Sequence, residues 1–441
     1  MKIFTFPGGI HPEYCKDISI REPLREGALP HTAVIPLSQH IGAPNAAVVK
    51  KGDVVEEGAL LGKSDSFVSS PVHSSISGKV IDVKKAFNPS IGPVESVFIE
   101  RDETKEPKKY GERETAEVPP KELIEIVRSA GIVGMGGAAF PTHVKLTIPE
   151  GKKIETLIIN GAECEPYLTC DHVLMIRNTQ ALLDSIDILI KILEPKKVYI
   201  AIEDNKKAAV FAFQKALKKS SNKCAPIAEI AVLKTKYPQG GEKQIIKAIT
   251  GEEVPPGGLP LDIGFLVMNV GTVNAVYDAV RFRKPLIERI VTISGDCLYR
   301  PGNYLIRVGT TIKEIVENYG IELFKEPGKI IVGGPMMGFA QPSMDAPVLK
   351  STSGILFLSG EGAQVFDEGP CVKCAKCVDV CPVRLIPTEI MKNVRAENWE
   401  DAEKLYVEDC IECGACAYSC PARIPLVHYI KEGKSFAMRK K

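Results

Sequence analysis

The chain contains Cys371-Val-Lys-Cys-Ala-Lys-Cys-Val-Asp-Val-Cys-Pro382 and then Cys410-Ile-Glu-Cys-Gly-Ala-Cys-Ala-Tyr-Ser-Cys-Pro421. In both stretches three cysteines are separated from each other by two residues, and a fourth follows after three residues and precedes a proline. Three thiolates on such a tight loop can hold one side of a metal centre. The fourth cysteine points away from them, and the proline after it ends the local loop. The spacing therefore predicts two metal centres, each completed by the fourth cysteine of the other stretch.

The same spacing is typical of bacterial ferredoxins that hold two 4Fe-4S clusters. We assign one cluster to Cys371, Cys374, Cys377 and Cys420, and the other to Cys410, Cys413, Cys416 and Cys381. Structural zinc is the alternative, but zinc usually takes two separated pairs of ligands. Disulfides are disfavoured because the sequence shows no secretion signal. The chain is thus predicted to carry electrons one at a time.

The composition of the 441 residues is that of a globular protein of about three domains. Lys and Arg total 56 and Asp and Glu total 55, so the charge gives no indication of nucleic acid binding. No apolar run reaches the roughly 18 residues that a membrane span needs. We expect a soluble or peripheral protein in a reducing compartment. The remaining cysteines are expected to be buried or idle thiols: Cys15, Cys164, Cys170, Cys224 and Cys297.

Residues 1–28 show no regular pattern and are predicted to form an irregular N-terminal segment. From 29 to 115, short β-branched runs such as the one at 47–55 alternate with turns, which predicts a small β barrel or sandwich. This pattern resembles the barrel-sandwich hybrid of biotinyl and lipoyl carriers. Residues 74–78, at the turn where a carrier holds its lysine, contain none, so we interpret the unit as a docking module. A charged linker is predicted at 101–117.

Between residues 116 and 286, strand and helix patterns alternate, which predicts a Rossmann-like α/β domain with a largely parallel sheet. Ligands bind at the carboxyl ends of the strands in such sheets. Three glycine-rich or acidic segments are placed there: Gly131–Lys145, Asn160–Pro166 and Tyr237–Glu242. Glycines let a phosphate or a ring approach the backbone, and a helix N-terminus can hold an anion. These segments are therefore candidates for one nucleotide site.

The three segments, followed by Asn269-Val-Gly-Thr272, resemble the flavin and NADH site of the NADH-binding subunit of respiratory complex I. The resemblance implies non-covalent FMN, with NAD(H) as substrate. It implies that the nicotinamide nucleotide meets Phe140 and two candidate catalytic residues, Glu165 and Glu242. The residues implied to line the flavin site are Gly134, Gly136, Gly137, Lys145, Asn160, Glu163, Tyr237, Gly240, Asn269 and Thr272. The chain departs from the complex I pattern where Met135 replaces an arginine, Ala162 an aspartate and Met268 an asparagine.

The chain as a whole, over roughly residues 4–430, resembles the RnfC family of the Rnf electron transport complexes. Besides the cysteine runs, the resemblance rests on Gly8–Pro12, Leu37–Pro44, Phe140–Lys145, Ala162–Thr169, Tyr237–Lys243 and Gly333–Gly338. Rnf complexes are membrane-bound ferredoxin:NAD+ oxidoreductases that move Na+ or H+. The resemblance implies a peripheral subunit at the cytoplasmic face of the bacterial cell membrane. Its partners would be the other Rnf subunits, NAD(H) and, indirectly, ferredoxin.

The rest of the chain divides into three units. Residues 287–345 have a strand, turn, strand and helix outline that resembles the soluble-ligand-binding β-grasp module of complex I, and their loop 333–338 is expected to pack near the flavin domain. A two-cluster, ferredoxin-like helical domain is predicted at 360–430, with a helical insert at 387–409. Residues 431–441 are predicted to form a basic, solvated tail.

NADH gives two electrons as hydride, whereas a 4Fe-4S cluster accepts one, and FMN converts between the two. The predicted function is therefore electron transfer between NAD(H), FMN and two clusters within an ion-transporting oxidoreductase. One alternative is a flavin and iron-sulfur cobalamin reductase, but in that family the flavin domain comes first. Another is a non-catalytic electron-wire subunit that holds clusters and lacks a nucleotide site.

Overall fold

The structure is a computed structural model that describes residues 2–219 and 222–439. Within these residues the strands form four sheets. Two sheets build an N-terminal barrel, one forms the centre of an α/β domain, and one is a mixed sheet that follows it in the chain. A helical domain completes the described residues.

The N-terminal segment is incorporated into two of these sheets. Strand β1 (Ile3–Phe4) pairs in parallel with the strand at 228–233 of the α/β domain, and β2 (Arg25–Glu26) pairs in parallel with the strand at 302–307 of the mixed sheet. The prediction that residues 1–28 are an irregular segment is therefore wrong for these strands. Two-residue strands carry almost no sequence pattern, because pairing with a distant strand defines them. Residue 1 lies outside the described residues.

The barrel consists of a four-stranded antiparallel sheet and a three-stranded sheet. In spatial order the first sheet contains β3 (Thr32–Pro36), β9 (Gly92–Arg101), β8 (Gly78–Asn88) and β5 (Val54–Val55), and the second contains β4 (Ala46–Ala47), β6 (Leu60–Lys63) and β7 (Val72–His73). The prediction of one strand at 47–55 is wrong. Asp53 accepts a hydrogen bond from the backbone N–H of Lys50, and Gly52 has a φ of +97°, so the chain turns between β4 and β5.

The α/β domain has a five-stranded parallel sheet in the order β1, β12, β11, β10, β13, which confirms the predicted architecture. Its remaining strands are β10 (Thr156–Gly161), β11 (Lys197–Glu203), β12 (Ala228–Leu233) and β13 (Phe265–Asn269). Its helices are α1 (Pro120–Ser129), α2 (Thr142–Leu146), α3 (Cys170–Arg177), α4 (Thr179–Leu193), α5 (Lys207–Lys219), α6 (Glu242–Thr250) and α7 (Val270–Phe282). Asn269 begins α7 as its N-cap and accepts from the N–H of Gly271 over 2.7 Å, so the predicted turn at this point is the start of a helix.

The mixed sheet has a β-grasp arrangement in which a hairpin, a helix and a returning parallel strand enclose a core. The elements are β14 (Glu288–Ser294), β15 (Gly302–Arg307), α8 (Ile312–Asn318), β16 (Lys329–Val332), β17 (Phe339–Gln341) and β18 (Gly354–Leu358). Strand β18 pairs in parallel with β14 at the centre of the sheet. The module predicted at 287–345 therefore extends to residue 358, because its central strand arrives last.

The helical domain contains α9 (Lys376–Asp379), α10 (Pro387–Arg395), α11 (Trp399–Lys404), α12 (Ala415–Tyr418) and α13 (Leu426–Arg439). The predicted helical insert is present as α10 and α11. The prediction of a solvated tail from residue 431 is wrong for the described residues, because α13 packs against this insert. The Trp399 ring stacks on Phe436 with 4.4 Å between centroids, and Gly433 allows close approach to Val394. Residues 440 and 441 lie outside the described residues.

Lys350 joins the barrel, the α/β domain and the β-grasp module. Its buried Nζ donates to the carbonyls of Pro71 (2.6 Å) and Gly131 (2.7 Å), and its N–H donates to Oε1 of Gln39 (3.0 Å). Burial lowers the pKa of Lys350 to about 7. The three units therefore share one buried polar joint. No helix in the described part of the chain is both long and apolar enough to span a bilayer.

Candidate functional site

The segments predicted to hold the flavin meet at the carboxyl edge of the parallel sheet. Asn160, near the end of β10, donates through Nδ2 to the carbonyl of Gly240 over 2.8 Å, in the turn before α6. Asn269 ends the neighbouring strand β13 and lies against the glycine loop, where a Cβ on Gly136 would be 2.9 Å from its Nδ2. The structure therefore brings the acidic turn, the turn before α6, the start of α7 and the glycine loop to one place.

The glycine loop at 131–141 provides an accessible backbone at this edge. Gly136 has a φ of +74°, which a side chain would strain, and a Cβ built on Gly137 would have no atom within 4 Å. The N–H of Met135 donates to Oγ1 of Thr272 over 2.8 Å, which fixes the loop to the start of α7. Phe140 is exposed beside it. A fixed loop with open glycines fits the close approach of a flavin.

Lys145 and Glu242 form an ion pair at the rim of this edge. Glu242 is in the first turn of α6, and Nζ of Lys145 also donates to the carbonyl of Val267 over 2.6 Å. Both side chains are partly exposed, so the pair is accessible to a ligand. The roles of Lys145 at the flavin and of Glu242 at the nucleotide stay predictions.

Glu163 lies beneath the site. Its Oε2 is 3.0 Å from Nζ of Lys206, with side chains that are 5% and 0% exposed, and its Oε1 accepts from the N–H of Asp171 over 2.8 Å. Nζ of Lys16 donates to its backbone carbonyl. Burial opposes ionisation of Glu163, but Lys206 and Lys16 outweigh that effect and hold its pKa below the ordinary value. The carboxylate of Glu163 thus supports the acidic turn from beneath, and its contact with the flavin stays a prediction.

Glu203, at the end of β11, is fully buried close to the same lysines, and neither carboxylate oxygen has a hydrogen-bond partner. Burial raises its pKa from 4.5 to about 7, against the opposing effects of Lys16 and Lys206. The folded protein therefore binds this proton more tightly than the unfolded chain does. Stability from Glu203 is present below about pH 4.5 and is lost as the pH rises through 7.

We expect Glu203→Gln to remove this dependence, so that the variant gains stability relative to the wild type between pH 5 and pH 8. Thermal unfolding midpoints across that range would measure the effect. Glu155→Gln is the matched control, because Glu155 is half-exposed and forms a surface ion pair with Lys196. Parallel pH curves for the wild type and Glu203→Gln would contradict the assigned protonation.

Glu165 connects the acidic turn to the loop at 333–338. Its Oε2 accepts from the N–H of Met336 over 3.0 Å and its Oε1 from the N–H of Met337 over 2.9 Å. Burial raises the pKa of Glu165 to about 7, although these two N–H groups favour the carboxylate. The loop thus packs against the flavin domain as expected. The contact of Glu165 with the nucleotide stays a prediction, and the loop occupies both carboxylate oxygens here.

Arg289 is a buried cation that the sequence prediction missed. It is the second residue of β14 and only 7% exposed, and its Nη1 contacts the Met135 thioether in the glycine loop. Its Nε lies 3.4 Å from the carbonyl of Thr352. The sequence signal that could have found it is the period of two residues along β14. That period places Arg289 on the same face as the buried residues Val291 and Ile293.

The two sets of four cysteines line two separate cavities. The outer cluster site is a cavity of about 390 Å³ lined by Cys371, Cys374, Cys377 and Cys420, and the inner cluster site is a cavity of about 20 Å³ lined by Cys381, Cys410, Cys413 and Cys416. All of these cysteines are free thiols. Burial raises the pKa of Cys413 and of Cys416 to about 12, so thiolates there need a bound cation. Each set brings four thiols to one site, and this donor set is the one that a 4Fe-4S cluster takes.

The inner cluster site lies directly against the predicted flavin segments. Oη of Tyr237 donates to the carbonyl of Cys413 over 2.8 Å. The N–H of Gly9 donates to the carbonyl of Val380 over 2.9 Å, and Ile10 pairs with Tyr237 as an isolated β-bridge. The N-terminal segment therefore adds contacts between the flavin domain and the cluster domain to the direct hydrogen bond of Tyr237.

Three family models match the chain. Residues 4–104 match the RnfC barrel sandwich hybrid domain, residues 127–278 match the Nuo51 FMN-binding domain, and residues 363–421 match a 4Fe-4S dicluster domain. The predicted combination of a barrel-sandwich hybrid, a flavin domain and a two-cluster domain is confirmed. The cofactors that these domains take are FMN and iron-sulfur clusters.

Curated proteins match over almost the whole chain. The C subunit of the proton-translocating ferredoxin:NAD(+) oxidoreductase complex of Clostridium ljungdahlii is 43% identical over 91% of this chain and 87% of that protein. The chain belongs to the RnfC family. A second relative, the C subunit of the Na(+)-translocating ferredoxin:NAD(+) oxidoreductase complex of Acetobacterium woodii, is 44% identical over 90% of this chain and 89% of that protein. The resemblance to RnfC is confirmed.

A solved structure shares the fold of a large part of this family member. It is a crystal structure of an NAD+-reducing NiFe hydrogenase in the H2-reduced state, with a TM-score of 0.50 and 18% sequence identity. The match covers 73% of this chain and 63% of the hydrogenase chain. At this level of identity the likeness concerns the fold alone.

Proposed function

We propose that this member of the RnfC family is the peripheral, NAD(H)-reacting subunit of a membrane-bound ferredoxin:NAD+ oxidoreductase. It passes electrons between NAD(H), FMN and two 4Fe-4S clusters, and the complex couples this transfer to the movement of Na+ or H+. Its partners are the other subunits of that complex, with ferredoxin reached through them. Its place is the cytoplasmic face of the membrane, where NAD(H) is found. The names of its relatives and the two cofactor domains support this proposal.

The observation that carries the proposal is the hydrogen bond between Tyr237 and the carbonyl of Cys413. It joins a turn predicted to line the flavin to a loop predicted to hold the inner cluster. Ile10, Tyr237, Cys413 and Ala415 are buried together, with Met336 packed against them. These buried side chains would exclude water between the residues that would hold the flavin and those that would hold the inner cluster. Such a junction serves electron transfer between two cofactors held by one chain.

Each residue group contributes binding and orientation. FMN, when bound, supplies the conversion between hydride and single electrons. The open glycines of the loop 131–141 let the cofactor approach the backbone, and the buried pair of Glu163 and Lys206 holds the acidic turn in place. Glu242 at the rim accepts hydrogen bonds from the nucleotide.

The two cluster sites differ in their surroundings, and this difference gives the order of transfer. The inner site contacts the flavin domain through Tyr237 and through Gln244, whose Nε2 lies 3.4 Å from the carbonyl of Pro382. The outer site is at the surface, where Cys374 is exposed and Val372 is 63% exposed. We therefore propose that the residues of the inner site would hold the cluster nearer the flavin domain, and that the residues of the outer site would hold the cluster nearer a partner subunit.

The test is chemical analysis and NADH titration of the full chain purified without oxygen. We expect one FMN and about eight irons with matching sulfide per chain. Two equivalents of NADH supply four electrons, which suffice to bleach the flavin absorbance and to reduce both clusters by one electron each. A preparation with zinc and no flavin would overturn the proposal, and flavin that does not respond to NADH would favour the electron-wire alternative.

Glu242→Gln tests the nucleotide contact. A hydrogen bond to a charged group contributes roughly 1.5–3 kcal/mol, so kcat/KM for NADH oxidation by an artificial acceptor should fall roughly tenfold or more. The FMN content should not change, because the predicted contact is with the nucleotide. Glu122→Gln is the matched control, since Glu122 is an exposed glutamate in the first turn of α1. Equal loss of FMN and activity would instead mean that Glu242 supports the flavin through Lys145.

A further inference from the structure

Arg289 comes from the β-grasp module, yet its guanidinium lies among the flavin segments of the α/β domain. Its Nη1 contacts the thioether of Met135, and a Cβ built on Gly271 would lie 3.0 Å from the same nitrogen. Gly271 is in the first turn of α7, and Met135 is fixed to that turn through Thr272. The cation is therefore placed between the glycine loop and the start of a thirteen-residue helix.

The guanidinium lacks an anionic partner in the described part of the chain. Its hydrogen-bond acceptors there are the Thr352 carbonyl and the Met135 sulfur, and its titratable neighbours are the thiol of Cys170 and the carboxyl group of Asp171. Asp171 is near enough to influence it, but Oδ2 of Asp171 accepts from Nδ2 of Asn269 over 2.7 Å. Burying an arginine without a partner is costly, and the guanidinium geometry suits two oxygens of a carboxylate or phosphate.

We propose that Arg289 binds the phosphate group of FMN. This inference rests on the proposed function, which places FMN against the glycine loop. The phosphate is the anionic end of that cofactor, and the N-terminus of α7 beside Arg289 also favours an anion.

The decisive comparison is between FMN and riboflavin, which differ by the phosphate. The full chain is freed of flavin without removing its clusters, and quenching of flavin fluorescence measures the affinity for each compound. We expect the wild type to prefer FMN and Arg289→Met to lose about 10- to 100-fold in FMN affinity, while its riboflavin affinity is unchanged. Arg289→Lys should lose less, because it keeps the charge without the paired donors.

Two further variants distinguish a specific loss of phosphate binding from a general loss of structure. Met135→Arg combined with Arg289→Met returns a guanidinium to the loop, and we expect it to regain part of the FMN preference. Arg307→Met is the matched control, because Arg307 is a partly buried arginine on the adjacent strand β15 that pairs with Glu57 and Glu288. It should leave the ratio of FMN to riboflavin affinity unchanged. If Arg289→Met does not fold, Arg289→Lys and the double variant still measure that ratio.

The outcomes separate the inference from the proposed function. A wild-type chain that binds neither flavin would overturn both. Preference for FMN that persists in Arg289→Met, or an equal loss of FMN and riboflavin, would overturn only the role of Arg289. An unchanged FMN affinity with a raised KM for NADH would assign the cation to the nucleotide and would also overturn this inference.

Discussion

Cys413→Ser is expected to leave the flavin reducible by NADH and to stop electrons from leaving it. Cys413 lines the inner cluster site, and its carbonyl accepts the hydrogen bond from Tyr237 in the predicted flavin site. Loss of the inner cluster interrupts the path next to the flavin, so an outer cluster that remains assembled receives nothing. We expect iron to fall from about eight to about four atoms per chain. Iron analysis and electron paramagnetic resonance of the NADH-reduced variant would measure this.

Cys374→Ser is the matched variant, because Cys374 lines the outer cluster site and is exposed. It should lose a similar amount of iron, but NADH should still reduce its remaining cluster. The reverse pattern, with a reducible cluster in Cys413→Ser and none in Cys374→Ser, would show that the order of the two clusters is inverted.

Lys206→Met should cause the largest loss of stability among the substitutions outside the cluster domain. The lysine is fully buried and its Nζ lies 3.0 Å from Oε2 of Glu163. Removing one partner of a buried ion pair leaves the other charge uncompensated, which costs about 3–5 kcal/mol. Lys16 remains near Glu163, so we expect a value toward the lower end. The thermal unfolding midpoint of the α/β domain, followed by circular dichroism and by flavin release, would measure the change.

Lys196→Met is the control for this experiment. Lys196 pairs with Glu155 at the surface, and its side chain is 80% exposed, so its removal should cost less than about 1 kcal/mol. Similar small effects for both variants would mean that the buried cluster of charges does not hold the acidic turn. Early flavin release in Lys206→Met alone would support that role.

Elements with a strong local pattern were predictable from the sequence. The helix α1 has an apolar face and a proline start. Strands β10, β11, β12 and β13 are apolar runs between helical segments, so the alternation and the parallel sheet were predictable, whereas the order of the strands in the sheet was not predicted. The cysteine sets followed from spacing, because the geometry of a cluster dictates that spacing. The pairing of the short strands β1 and β2, and of β18 near the end of the β-grasp module, could not be predicted. Each pairs with a strand far away in the sequence, and such pairing produces no pattern in the neighbouring residues.

The loops of the candidate site could be predicted from the sequence, whereas most of the buried charged residues that hold those loops could not. The glycine loop, Asn160, Tyr237 and Asn269 lie where the motifs placed them. Lys16, Lys206 and Arg289 were missed because each reaches the site from a separate element far away in sequence. A lysine in an ordinary helical or loop segment looks solvated until the fold shows that it is buried. Glu163 and Glu165 were predicted to contact the cofactor and the nucleotide, and those contacts stay predictions. The structure adds that both carboxylates also have partners within the protein, which the sequence did not indicate.

The joint at Lys350 limits how the chain can be dissected. A fragment that starts at residue 116 would lose the carbonyl of Pro71, which leaves Gly131 as the remaining one of the two described acceptors of the ammonium group. It would also lose Gln39, which accepts from the backbone N–H of Lys350. Gly131 is the first residue of the glycine loop, so the disturbance would begin where the flavin is expected to rest. The barrel therefore helps to hold the start of the glycine loop in place through Lys350. We therefore expect the barrel to stay docked against the α/β domain and the β-grasp module.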